Sequence, residues 1–113
     1  MSAGTFDDYL IRPEYTDIRS RSEVDITSHI PMRGSPYRLK LKLPVISANM
    51  QDITGPKMAI EMFNLGGMGI LHRFNTVDTA VSDFKKVLNE IKGHFVSELA
   101  ASYYIGVSVG VKK

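Results

Sequence analysis

Residues 67–91 read Gly67-Met68-Gly69-Ile70-Leu71-His72, then Arg73-Phe74-Asn75-Thr76, then Val77 through Ile91. The first block is a short apolar run of strand length, and the second is a polar turn. In the third, Val77, Ala80, Val81, Phe84, Val87, Leu88 and Ile91 fall at offsets of 0, 3, 4, 7, 10, 11 and 14. That is one apolar stripe on a 3.6-residue period, the mark of a helix with a single buried face. Thr76 suits the N-cap, Asp78 the positive end of the helix dipole, and Gly93 the stop. A strand feeding a helix in this way is half of a βαβ unit.

The neighbouring sequence completes the pattern. Leu43-Pro44-Val45-Ile46-Ser47-Ala48-Asn49-Met50 is a second apolar run, opened by Pro at a position that suits the start of a strand. Gln51–Pro56 is turn-like. The spacing then predicts a helix over 55–64 that buries Met58, Ala59, Met62, Phe63 and Leu65, with Pro56 in its first turn. Gly66-Gly67 ends it as a left-handed C-cap requires. On the far side, Phe95–Tyr104 has no clear period and suits a short helical turn. Ile105-Gly106-Val107-Ser108-Val109-Gly110-Val111 is a third strand, rich in Val and Gly.

Residues 1–42 differ in character. Pro13, Pro31, Gly34 and Pro36 punctuate them, residues 31–36 read as a loop, and short extended pieces are expected at Asp7–Ile11 and Glu23–Ile26. Arg19-Ser20-Arg21-Ser22 is a small basic patch best read as a solvated turn. The chain therefore divides into an irregular segment, 1–42, lying against a regular α/β part, 43–113. The order in the regular part is strand–helix–strand–helix–strand. Continuous apolar strands of this kind are buried on both faces, as in parallel sheets covered by helices.

Two architectures fit, a doubly wound sheet and a (β/α)8 barrel. The first should carry a Gly-rich phosphate loop after its first strand, and none stands there. Gly66-Gly67-Met68-Gly69 precedes a strand, so it reads as a helix stop rather than a phosphate cradle. In a barrel, chemistry gathers at the C-terminal ends of the strands. Those ends are Ser47–Asp52, His72–Phe74 and Ser108–Lys112, and each turns polar or unusual directly after an apolar run. The barrel is favoured.

Composition sets the outer limits. The 113 residues are 43% hydrophobic and 23% charged, too apolar and too weakly charged for a disordered chain. No run approaches the roughly 18–20 apolar residues that span a bilayer. The opening MSAGTFDDYLIRPEY carries acid where a signal peptide would carry a basic flank, and a cytoplasmic setting is expected. With no Cys there is no disulfide, thiolate metal site or thiol nucleophile within these residues, and no metal site is expected. A net charge of +2 makes no case for nucleic acid or an anionic membrane as a partner.

Several phrases together resemble the IMP dehydrogenase/GMP reductase family. Thr5-Phe6-Asp7-Asp8-Tyr9-Leu10-Ile11-Arg12-Pro13 resembles its opening, and Ser22-Glu23-Val24-Asp25 a phrase common there. Leu43–Met50 resembles the first barrel strand. Met58-Ala59-Ile60-Glu61-Met62 and Gly66–Arg73 resemble the first helix and second strand, and Ile105–Val111 the third strand. The resemblance implies the first three strands of a (β/α)8 barrel belonging to a cytoplasmic homotetramer. It implies an oxidoreductase acting on GMP or IMP with a nicotinamide cofactor, NADP(H) before NAD. The resemblance places nucleotide contacts at Ser47, Ala48, Asn49 and Met50, where a short polar side chain or backbone group would bond the ligand and Met50 would pack on the purine, and places His72, Arg73 and Ser108 at the cofactor or substrate mouth.

The branch leans towards GMP reductase. Only Gly93–Tyr104 stand where dehydrogenases usually carry a tandem CBS module, and Ala48-Asn49-Met50, His72-Arg73-Phe74 and Val107–Lys112 are similar to reductase sequences. There are departures. One reductase branch has a Lys at the place of Arg73, and an Arg serves only as a fixed charge and donor. That branch also has hydroxyl residues near the third strand end, where here only Ser108 carries one. The family's nucleophilic Cys lies on a later loop. A barrel needs about 250 residues, so this chain is read as the N-terminal part of an enzyme, or as a truncated homologue that only binds or assembles. No residue within it is assigned as catalytic, Arg73 having at most an electrostatic role.

Overall fold

The computed structural model describes residues 3–110. Two antiparallel strands open the regular structure, β1 (Ser28–Pro31) and β2 (Arg38–Leu41), with Ser28 opposite Leu41 and Pro31 opposite Arg38. Then follow β3 (Ile46–Ser47), α1 (Pro56–Asn64), β4 (Met68–Leu71), α2 (Val77–Ile91), α3 (Glu98–Ser102) and β5 (Ile105–Val107). The last three strands form one parallel sheet in the order β3-β4-β5, with Ile46 opposite Met68 and Gly69 opposite Ile105. The expected strand–helix–strand–helix–strand order is therefore present, as a mixed α/β fold.

The β1–β2 hairpin corrects the reading of residues 1–42 as irregular. Its signal lies in Arg38-Leu39-Lys40-Leu41, where Leu39 and Leu41 are buried and the two cations are exposed, the period-2 alternation of a strand with one face covered. The loop between the strands stands where Pro and Gly place it, with Gly34 at a positive φ of 76°. The extended pieces expected at 7–11 and 23–26 overlap single 3₁₀ turns at Phe6–Asp8 and Arg21–Glu23 instead. Short polar side chains tie these turns locally: the Thr5 amide donates to the Asp8 carboxylate at 2.7 Å, and the Ser22 amide to Ser20 Oγ at 3.3 Å. The Thr5 bonds hold the Asp8 carboxyl below its ordinary range. Residues 3–26 are exposed throughout.

α1 starts at Pro56 and ends in a Schellman motif. The Gly67 amide reaches the Met62 carbonyl and the Gly66 amide the Phe63 carbonyl, each at 2.8 Å, with Gly66 at φ 88°. The left-handed stop is thus as expected. The chain then enters β4 under tight contact, since a Cβ on Gly69 would lie 2.6 Å from the Ala59 Cα of α1. Helix and strand meet backbone to backbone there. Of the residues expected to be buried by α1, Ala59 is buried and Met62 and Phe63 half-buried, but Met58 and Leu65 are exposed. Leu65 falls one residue past the helix, after the face has turned away.

α2 has the limits its stripe predicts, and Thr76 Oγ1 caps it by accepting from the Thr79 amide at 3.2 Å. Val87 and Ile91 are fully buried with Ala59, Leu71, Ala101 and Ile105, so the core lies between the sheet and the C-terminal half of α2. Val77 and Val81, at the other end of the stripe, are exposed. Phe63, Phe95 and Tyr104 flank the core as an aromatic cluster, with ring centroids 4.9–5.9 Å apart.

The sheet departs from expectation in two respects. Gly69 and Leu71 of β4 are buried against the helices, whereas Met68 and Ile70 are only half-buried, and Ile46, paired with Met68, is exposed. Both helices lie on one side, so only that face is covered among the described residues. The strands are also shorter than their apolar runs. Pro44 has no amide to donate, Ala48–Met50 turn away through a Met50 amide bond to the Ala48 carbonyl at 2.9 Å, and β5 stops at Val107. Val111 and Lys112 lie outside the described residues.

Candidate functional site at the strand ends

Parallel pairing brings the C-terminal ends of β3, β4 and β5 to one edge of the sheet. Ser47 ends β3 and leads into Ala48, Asn49 and Met50; His72 and Arg73 follow β4; Ser108 follows β5. Asn49 Nδ2 donates to Ser108 Oγ at 2.8 Å across 59 residues of sequence. The Ser108 amide donates to the Leu71 carbonyl at 3.0 Å. One short rim therefore joins the first strand end to the third, passing over the middle strand. Met50 stands beside it, exposed, with its thioether free to cover a flat apolar group.

His72 and Arg73 are organised around Phe74. His72 Nδ1 accepts from the Phe74 amide at 3.2 Å, and the two rings stack with centroids 6.4 Å apart. The Arg73 guanidinium lies over the Phe74 ring, 5.3 Å from its centroid. It also approaches the chain after β5, since a Cβ on Gly110 would lie 3.3 Å from its Nη1. The exposed cation is thus held over the rim by an aromatic face.

The residue that ties the rim together escapes a reading of the sequence, in which Gln51–Pro56 is only a turn. Thr54 is 0% exposed, the buried polar residue of the described chain. Its hydroxyl bonds to the Ala48 carbonyl and lies 2.8 Å from Ser47 Oγ. Its amide donates to the Met50 carbonyl at 3.0 Å, and its own carbonyl accepts from the His72 amide at 3.4 Å. The available signal is a Thr two residues before the Pro that opens a helix, a place where hydroxyls bond back to nearby backbone. A second contact without a sequence signal lies below, where Asn75 Nδ2 donates to Asp83 Oδ2 at 3.2 Å and fastens the loop after β4 to α2. The Asn75 Oδ1 atom is buried without a partner among the described residues.

Other features bound the chemistry. Among the described residues no group of three His, Asp or Glu side chains could hold a metal ion, and no helix is long and apolar enough to cross a membrane. A cleft of about 370 Å³ between Lys40, Lys42, His94 and the aromatic cluster lies at the opposite end of the strands, beside Gly66-Gly67 where β4 begins.

The chain as a whole is similar to known proteins. The chain is 40% identical over 83 residues to an inosine-5'-monophosphate dehydrogenase of Nitrosopumilus maritimus, covering 74% of this chain and 16% of that protein. It is 32% identical over 83 residues to a GMP reductase of Leishmania donovani, again covering 74% of this chain and 16% of the relative. The crystal structure of inosine 5' monophosphate dehydrogenase from Legionella pneumophila superposes with a TM-score of 0.60 at 42% identity, over 73% of this chain and 24% of that one. The matched region thus spans about a sixth of the length of these curated relatives. The family model described as IMP dehydrogenase / GMP reductase domain matches residues 3–113, nearly every residue, and it is to that family that this chain belongs.

Proposed function

We propose that these residues form the first three strands and part of the nucleotide-binding mouth of a (β/α)8 purine nucleotide oxidoreductase, with residues 1–42 as a segment applied to the barrel. The observation that carries the reading is the Asn49–Ser108 bond, which gathers the C-terminal ends of parallel strands into one polar rim. The half-open inner face of the sheet supports it too, since a closed barrel would cover Ile46, Met68 and Ile70 with further strands. In this reading Ser47, Ala48 and Asn49 offer the nucleotide hydrogen bonds and Met50 packs on the purine. His72 and Ser108 line the mouth. Arg73 is a fixed positive charge for an anionic ligand, not a proton carrier.

The nicotinamide cofactor would supply or accept the hydride. Among the described residues neither α1, opening on Gly55-Pro56, nor α2, opening on Thr76-Val77, follows a Gly-rich phosphate loop. Any part of the cofactor that these residues hold falls to the mouth residues His72, Arg73 and Ser108. A covalent step at the purine would need a thiolate from outside the 113 residues, which contain no Cys.

Two reactions compete. Reductive deamination of GMP to IMP with NADPH is supported by the direct connection from α2 to β5, where one 3₁₀ turn and α3 leave no room for a CBS module. Oxidation of IMP to XMP with NAD is supported by the higher identity of two dehydrogenases, 40% and 42% against 32% for the reductase, while a third dehydrogenase stands at 31%. Absorbance at the nicotinamide band, followed with the full-length protein, separates them. Loss of NADPH with GMP and ammonia release is the first reaction, and gain of NADH with IMP is the second. Turnover of neither pair, with no binding of either nucleotide, would overturn the oxidoreductase reading. Binding without turnover would leave a homologue that only binds.

A further inference from the structure

We infer that Thr54 is the positioning residue of the nucleotide mouth: it sets the path of Ser47–Met50 and locks it to the start of the His72–Arg73 turn. This rests on the nucleotide reading above and deepens it. Thr54 touches no ligand in this reading, because no part of it reaches the surface. Its three polar groups are all committed, and they bond to Ser47, Ala48, Met50 and His72, four of the seven candidate binding residues.

The Thr54 hydroxyl has one proton and two acceptors in reach, the Ala48 carbonyl and Ser47 Oγ. The Ser47 oxygen is thereby drawn inward as an acceptor, and its own proton is left for another partner. The Ala48 carbonyl accepts from the Met50 amide as well, so two donors fix its direction and tighten the turn that presents Asn49. The other end of Thr54 does a separate job. Its Cγ2 methyl fills the space beside Gly69, where a built Cβ would lie 3.3 Å away.

Position and packing therefore reside in different atoms of one side chain, which permits a crossed test. Thr54→Val keeps the volume and removes the hydroxyl. Thr54→Ser keeps the hydroxyl and removes the methyl. In the full-length protein, binding of GMP and IMP is measured by titration calorimetry and stability by thermal unfolding. Thr54→Val is expected to weaken nucleotide binding about tenfold, the scale of one or two misdirected hydrogen bonds. Thr54→Ser is expected to bind within about twofold of the natural protein while melting at lower temperature. Equal affinity of Thr54→Val and the natural protein would overturn the inference, as would a loss in Thr54→Ser that follows its lower melting point. If Thr54→Val does not fold, Thr54→Ala set against Thr54→Ser makes the same comparison. A natural protein that binds neither nucleotide would overturn the functional reading itself, a result distinct from either of these.

Discussion

Replacing Ile91 by Ala is expected to destabilise the protein by about 2–5 kcal/mol, seen as a fall in the urea midpoint with little change in slope. Ile91 is the last residue of α2 and is 1% exposed. It shares one cluster with Ala59, Leu71, Val87, Ala101 and Ile105, drawn from both helices of the βαβ units, two strands and α3. Truncation removes three carbons from a site whose walls belong to several elements and cannot all collapse inward together. Val77 lies on the same stripe but is 79% exposed. Val77→Ala should therefore change stability by no more than about 0.5 kcal/mol. If both positions cost the same, the core is not where the structure puts it.

The second large effect concerns one methyl group placed at two glycines. Gly69→Ala puts a Cβ 2.6 Å from the Ala59 Cα and 2.9 Å from its Cβ. The obstacle is helix backbone rather than the end of a flexible side chain, so α1 must move off the sheet. A cost of about 1–3 kcal/mol is expected, together with weaker nucleotide binding, because Thr54 sits in the same contact. Gly93→Ala meets nothing within 4 Å. There the same methyl should be neutral or stabilise by up to about 1 kcal/mol through the unfolded state. Chemical denaturation of the two variants checks the pair. A tolerated Gly69→Ala would contradict the close approach of α1 and β4.

These contrasts bear on what a sequence discloses. The stripe from Val77 to Ile91, its Thr76 cap and the Gly66 stop are legible because each is a local rule: a period, a capping hydroxyl, a left-handed turn. The parallel order of three strands is legible for a similar reason, as apolar runs separated by helices. What the stripe cannot convey is which of its residues meet a partner, so Val77 looks as apolar as Val87 although one is open to solvent and the other is not. The hairpin is obscured because Pro31 and Pro36 dominate that stretch, while the alternation in Arg38–Leu41 is only four residues long.

The site divides along the same line. Strand ends follow from the order of apolar runs and helices, so residues 47–52, 72–74 and 108–112 can be picked out by their place in the chain, and the family resemblance narrows them to Ser47–Met50, His72, Arg73 and Ser108. The bond between Asn49 and Ser108 is another matter, since 59 residues separate them and no local pattern pairs them. Thr54 is hidden for a third reason. It lies in a turn where polarity is ordinary, and its importance comes entirely from burial, which a turn sequence does not announce.

The central claim is that a purine nucleoside monophosphate binds at the C-terminal edge of the β3-β4-β5 sheet. Amide hydrogen exchange in the full-length protein, with and without saturating GMP or IMP, tests it most directly. Slower exchange is expected in peptides covering residues 47–54, 72–75 and 105–110, and unchanged exchange in the hairpin at 28–41. Protection absent from all three strand ends, or confined to the hairpin and the cleft beside Lys40 and Lys42, would contradict it.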